Sequence, residues 1–175
     1  MRQWIGSSPL DGRHRAYIGV GSNLGNRVEN CRRAIEALAA SEDCVLEAQS
    51  PFYETEPLYL EDQDWFVNAA ALIRTSIEPE ALLARLQAIE QKMGPRANSR
   101  RFGPRVLDLD ILFFDDLVLQ CGNLRVPHPR LHERRFVLQP LSDIAARFMH
   151  PVLGETIGSL LAGLKDGQKR VRLLE

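Results

Sequence analysis

Residues 101–112 read Arg-Phe-Gly-Pro-Arg-Val-Leu-Asp-Leu-Asp-Ile-Leu, and this stretch limits what the chain can become more than any other. Two carboxylates, Asp108 and Asp110, stand two residues apart inside an apolar run of the kind that forms a buried strand. Strand side chains alternate faces, so the two acids share one side at roughly 7 Å, with Leu107, Leu109, Ile111 and Phe113 expected on the other. Unpaired, the acids repel. Divalent cations between them remove the conflict, and hard oxygen ligands of this kind suit Mg²⁺ held by one or two carboxylates and completed by substrate phosphates. Arg100, Arg101 and Arg105 just upstream supply the positive charge that a polyphosphate needs. The competing reading is a structural ion-pair network, with the acids paired to Arg101 or Arg105.

The rest of the composition narrows the classes. At 175 residues the chain suits a single domain over 16–175 with a real core. A formal charge of −1, from 22 basic and 23 acidic residues, gives no broad field for nucleic acid or a membrane surface, so any basic site must be local. No apolar run reaches bilayer-spanning length. Cys31, Cys44 and Cys121 are odd in number and lack Cys-x-x-Cys spacing, which argues against a disulfide framework and against zinc, and leaves buried thiols in a reducing cytosol. Residues 1–15 carry no secretory-signal core and no periodicity, and are expected to be a frayed extension.

Element order follows from periodicity. Residues 16–21 (AYIGVG) read as a strand ending in glycines, and the turn Ser22-Asn23-Leu24-Gly25 follows. Asn26 then caps a helix, with Glu29 three residues on and Val28, Cys31, Ile35 and Leu38 as its apolar stripe. Residues 45–53 form a second strand, 54–64 a long loop, and 65–75 a third strand. Glu78-Pro79 opens a helix with Leu82, Leu86, Ile89 and Met93 on one face, closed by Gly94. A second loop, 96–106, leads to the Asp-x-Asp strand at 107–114. Strand, helix, strand, strand, helix, strand is the α+β, ferredoxin-like βαββαβ pattern, an open sheet with helices on one face, to which the C-terminal part adds a hairpin and one or two helices.

Several positions stand out singly. The run Gly19-Val20-Gly21-Ser22-Asn23-Leu24-Gly25 fits neither the dinucleotide fingerprint nor the P-loop, and reads as a tight strand-to-helix turn. Asn68 lies among apolar neighbours in a strand and needs partners for its amide. Phe66 and Phe136 read first as core. Gln87 and Glu90 flank the buried stripe of the second helix, either solvated or reaching a site. His128, beside prolines, reads as a turn residue.

Taken together, residues 101–112, the opening YIGVGSNLG and the stretch from Phe52 to Leu58 resemble the 6-hydroxymethyl-7,8-dihydropterin pyrophosphokinase family across nearly all of 17–146. The resemblance implies a folate-pathway enzyme that transfers pyrophosphate from ATP to a pterin alcohol and releases AMP. It implies two Mg²⁺ ions on Asp108 and Asp110, with Arg96 and Arg105 as catalytic cations. Thr55, Pro57, Leu58 and Asn68 would hold the pterin between Phe66 and Phe136, a flat-ring sandwich favoured by offset stacking. Gln87, Arg101, Phe102, Arg105, His128 and Arg134 would hold the nucleotide. Two departures are visible: Pro95 separates Gly94 from Arg96, and Phe102 stands where Trp is common. A monomeric cytoplasmic enzyme acting on small molecules is expected, with residues 94–105 closing over the phosphates.

Rivals fare worse on residues. A polymerase-like nucleotidyltransferase would place its glycine-serine turn shortly before the acids, whereas Gly21-Ser22 lies far upstream of Asp108. An RNA-binding sheet would want a basic, aromatic central strand, and residues 65–72 hold no Lys or Arg.

Overall fold

The computed structural model describes residues 2–4, 12–58, 62–94, 103–165 and 169–174. Its elements run β1 (Arg2–Trp4), β2 (His14–Ser22), α1 (Arg27–Ala39), β3 (Cys44–Gln49), β4 (Tyr53–Thr55), β5 (Phe66–Thr75) and α2 (Pro79–Met93). They continue through β6 (Asp108–Phe114), β7 (Leu117–Cys121), β8 (Leu124–Val126), a 3-10 turn (Leu131–Glu133), α3 (Arg135–Ala145), α4 (Ile157–Ala162) and β9 (Val171–Leu173).

Two antiparallel sheets result. The larger has strand order β6-β2-β5-β4-β9, with β3 also paired to β5, and the smaller has order β1-β7-β8. The helices form where capping and spacing demand. The Asn26 side chain accepts from Glu29 N–H, and Cys31, Ala34, Ile35 and Leu38 are the buried stripe of α1. Pro79 starts α2 and Gly94, at φ 139°, ends it.

Ile18 and Val20 of β2 and Leu109 and Ile111 of β6 join α1 and α2 in one core. Tyr17, Ala70, Leu112 and Phe113 join α3 and α4 in a second. Helices therefore cover both faces of the large sheet, not one, because the C-terminal additions pack on the side that a βαββαβ unit leaves bare. A register shift lies behind another correction. Tyr17 pairs with Phe113 and Ile18 with Ile111, so Leu112 is an extra residue and β6 bulges there. Beyond the bulge the alternation inverts, and Phe113 packs in the second core instead of beside Leu109 and Ile111.

Other expectations shift locally. Residues 45–53 are two strands, because Ser50 spends its hydroxyl on Pro51 O and Ala70 N between them and Pro51 has no N–H to give a ladder. Within 1–15, Arg2–Trp4 pair with Leu117–Leu119 and His14 already belongs to β2. Glu54 and Thr55 fall in β4 and not in the loop. Cys31 and Cys44 are buried, but Cys121 is exposed. No helix among the described residues is long and apolar enough to cross a membrane.

Candidate active site

Gly19 and Gly21 lie in β2, as the strand expected over 16–21 requires. Gly21 pairs with Asn68 of β5 on one side and Asp108 of β6 on the other, and Gly19 pairs with Ala70 and Asp110. A Cβ on Gly21 would sit 2.9 Å from Asn68 Oδ1, and one on Gly19 would meet Leu112 at 3.3 Å. Bare backbone in the middle strand thus makes a low floor between the polar side chains of its neighbours. Above it opens a cavity of about 300 Å³.

One wall carries the acids. Arg105 Nη1 meets Asp108 Oδ1 at 2.6 Å, so an Arg105–Asp108 ion pair is present in this state. Arg105 Nε is buried with no hydrogen-bond partner among the described residues, which leaves the guanidinium able to take an anion as well. The Arg105 backbone is pinned by Asn23, fully buried, whose Oδ1 accepts from Arg105 N at 2.8 Å and whose N–H donates to Arg105 O at 3.1 Å. The same Asn23 donates to Gln63 Oε1 at 2.9 Å, joining two sides of the cavity.

Across the floor, Asn68 Nδ2 donates to Thr55 Oγ1 at 2.7 Å, which fixes the amide's orientation. Tyr53 O–H donates to Asp143 Oδ2 at 2.7 Å and ties β4 to α3, the helix that carries Phe136. The third wall is cationic. His128 N–H donates to Leu112 O at 2.9 Å, and Arg130 N–H donates to His128 Nδ1 at 3.3 Å, which leaves the ring proton on Nε2. Burial, then Arg134 and Arg130, push the His128 pKa down to about 4, so the ring is a neutral donor near pH 7. The Arg134 guanidinium lies 5.5 Å from the centroid of Phe136.

A model of the 7,8-dihydro-6-hydroxymethylpterin-pyrophosphokinase family matches residues 17–146. The chain belongs to this family. The 2-amino-4-hydroxy-6-hydroxymethyldihydropteridine pyrophosphokinase of Methylorubrum extorquens is 41% identical over 158 residues, covering 90% of this chain and 98% of that protein. The folic acid synthesis protein FOL1 of Dictyostelium discoideum is 38% identical over 156 residues, 89% of this chain but 23% of that protein, so the chain spans under a quarter of its length. Among solved structures, Plasmodium falciparum HPPK-DHPS wild type with pteroate superposes with a TM-score of 0.71 at 17% identity, over 86% of this chain and 42% of that one. At that identity the likeness speaks for the fold.

Of the residues that the pyrophosphokinase resemblance singled out, the cavity gathers Thr55, Leu58, Phe66 and Asn68 on one side and Arg105, Asp108 and Asp110 on another. His128, Arg134 and Phe136 complete it. Pro57 is buried beside the lining residues Glu56 and Leu58 without lining the cavity itself. Gln87 is exposed on α2 and is not among the described lining residues. Glu90 Oε1 accepts from Leu109 N at 2.7 Å, holding the start of β6. Arg96, Arg100, Arg101 and Phe102 lie outside the described residues, as does most of the loop expected to close.

Sequence reasoning missed Glu56, Gln63, Arg130 and the floor glycines. Polar residues in aperiodic segments give no local signal. The glycines had one, since two glycines at strand spacing opposite two acids at the same spacing mark one face of a sheet.

Proposed function

We propose that this chain transfers the pyrophosphoryl group of ATP to the hydroxymethyl oxygen of 6-hydroxymethyl-7,8-dihydropterin, releasing AMP, as a step of folate biosynthesis. The observation that carries this reading is the convergence on one cavity of the Asp108/Asp110 pair, the Asn68–Thr55 hydrogen-bonding edge and the cations Arg105, Arg130 and Arg134. Family membership and the pyrophosphokinase relatives support it.

The donor chemistry suits magnesium. Asp108 and Asp110 offer hard carboxylate oxygens, and no group of three His, Cys, Asp or Glu able to hold a metal occurs among the described residues. Substrate phosphates and water would therefore complete the coordination, as Mg²⁺ prefers. We assign two ions to the pair. Bound there, magnesium supplies Lewis acidity to the alcohol and charge neutralisation to the phosphates.

The chain's own groups do the rest by positioning. Asn68, oriented by Thr55, reads the polar edge of the pterin, and Phe66 and Phe136 cover its faces. Arg105, with an unused Nε, and Arg134 hold phosphate oxygens. His128 gives its Nε2–H to the nucleotide. Arg96, Arg101 and Phe102 are assigned to the closing loop on the resemblance alone. The strand order, with β6-β2-β5 flanked by β3 and β4 and helices α1 and α2 between strands, supports a ferredoxin-like core within one domain over 16–175. A monomeric, cytoplasmic enzyme completes the reading.

Incubation with ATP, Mg²⁺ and the pterin, followed by chromatography, is expected to give AMP and to give none after chelation with EDTA. ADP as the dominant nucleotide product would mean attack at the γ-phosphorus and would overturn the assignment.

A further inference from the structure

We propose that the C-terminal strand β9 acts as a clasp on the pterin side of the cavity, with Arg170 and Arg172 as positioning residues that work through Glu54, Glu56 and Trp65. The inference rests on the pyrophosphokinase reading and extends it to two arginines that do not themselves line the cavity. Both arginines lie beyond residues 17–146, the part of the chain that the family model matches.

Thr55, Glu56, Leu58, Gln63 and Phe66 all line the cavity, and all belong to the stretch that leaves β4 and enters β5. Its described ends, residues 54–58 and 62–66, present a fixed edge when both are held. At the first end, Glu56 and Arg170 make four hydrogen bonds. Glu56 N donates to Arg170 O at 3.0 Å, and Arg170 N donates to Glu56 Oε2 at 2.9 Å. Arg170 Nε and Nη2 then donate to Glu56 Oε1 at 2.9 and 2.7 Å. At the other end, the guanidinium carbons of Arg170 and Arg172 each lie 5.1 Å from the centroid of the Trp65 ring, within cation–π range. Glu54, buried in β4, closes the circuit by pairing with Arg172 and, at 2.9 Å, with Arg27 Nη2. Arg27 Nη1 in turn donates to Trp65 O at 2.6 Å. Arg170, just before β9, and Arg172 within it thus touch the start and the finish of one cavity-lining stretch, while Thr55 itself pairs with Val171.

The arginines hold both acids below the usual carboxylate range, Glu54 chiefly through Arg172 and Glu56 through Arg170. Exposed ion pairs add little to global stability, and the Arg170 side chain is 76% exposed. The effect of the Arg170–Glu56 half of the clasp therefore belongs in substrate affinity, not in the melting temperature.

The test is the Arg170→Met/Arg172→Met double variant, with Arg170→Lys beside it. KM for the pterin is expected to rise about tenfold, the size of one lost charge-assisted contact, with KM for ATP unchanged. Arg170→Lys should recover part of the loss, since an ammonium keeps the charge but not the two-pronged geometry. Amide exchange without substrates should speed up at residues 54–56 and 65–66 in the double variant. Unchanged exchange, or pterin and ATP KM values that move together or not at all, overturns the clasp. Failure of the unmodified enzyme to release AMP would sink the pyrophosphokinase reading alone, and the exchange measurement would still decide whether β9 holds the stretch.

Discussion

On β2, Ile18 and Val20 turn towards α1 and α2, whereas Gly19 and Gly21 turn the other way. β6 repeats the contrast, with Leu109 and Ile111 on the first side and Asp108 and Asp110 on the second. The first face is covered by two amphipathic helices and holds a continuous apolar core. The second is covered by α3 and α4 only around Tyr17, Ala70, Leu112 and Phe113, and the uncovered part is the cavity. One set of strands therefore serves both stability and chemistry. The period of two keeps them apart, because neighbouring residues can be chosen for different purposes without disturbing each other.

If that separation is real, adjacent positions should give opposite phenotypes. Asp108→Asn or Asp110→Asn should lower turnover by about a thousandfold or more, the scale of losing a metal ligand in the transition state, and leave thermal unfolding nearly unchanged. A variant that unfolds early yet still turns over would make the carboxylates structural. On the closed face, Ile18→Ala should cost about 3 kcal/mol in denaturant unfolding through the cavity it leaves, with both KM values intact. Three residues along, Gly21→Ala should do the reverse. Its methyl would crowd Asn68 Oδ1 and raise the pterin KM about thirtyfold, or roughly 2 kcal/mol, with little loss of stability. Equal stability losses for these last two variants would break the contrast between the faces.

Acid should also act through the open side. His128 lines the cavity and His150 packs edge-on to Phe113; both are held down at about 4, chiefly by burial, with Arg134 and Arg130 beside His128 and His132 beside His150. Both folded values lie below the ordinary 6.5, so the unfolded chain binds more protons in between. Their contribution is full above about pH 6.5 and is lost as pH falls towards 4, on the order of 1 kcal/mol each after solvent screening. Urea titrations from pH 7 to 4, repeated on His128→Gln and His150→Gln, should show the slope shrinking in each variant. The smallest effect concerns thiols. Cys121 should react with a disulfide reagent in the native state, whereas Cys31, pushed up to about 12 by burial on the closed face, should react only on unfolding. Cys121→Ser should shift stability by less than about 0.5 kcal/mol.

The closed face was legible in the sequence because each of its features repeats. Cys31, Ile35 and Leu38 announce α1, Leu82, Leu86 and Ile89 announce α2, and Asn26 and Pro79 mark their starts. On the open face the Asp108/Asp110 pair carried a signal, as did a strand-interior Asn68 that demanded partners and two glycines at the spacing of the acids. Gly19 and Gly21 were placed at the end of a strand, but their service as a cavity floor was not, because a glycine-rich run looks alike whether the chain is about to reverse or another group must come close. The bulge at Leu112 left no mark, since any apolar residue can be the extra one. β9 is three residues, Val171–Leu173, and owes its place to Arg170 and Arg172 finding acids more than a hundred residues earlier in the chain. Pairings that distant follow from assembly and not from period.

The bulge also decides how freely the two ends of β6 can vary. Asp108 and Asp110 lie before the extra residue, and Phe113 and Phe114 after it, so Leu112 works as a joint between a front segment aimed at the cavity and a back segment aimed into two cores. A deletion of Leu112 would take out the bulge and leave Phe113 opposite Tyr17 and Phe114 opposite Ala16, while the carboxylates kept their partners Gly21 and Gly19. The rear of this strand, packed around Tyr17 and Phe148, can thus be repacked without moving the acids at its front.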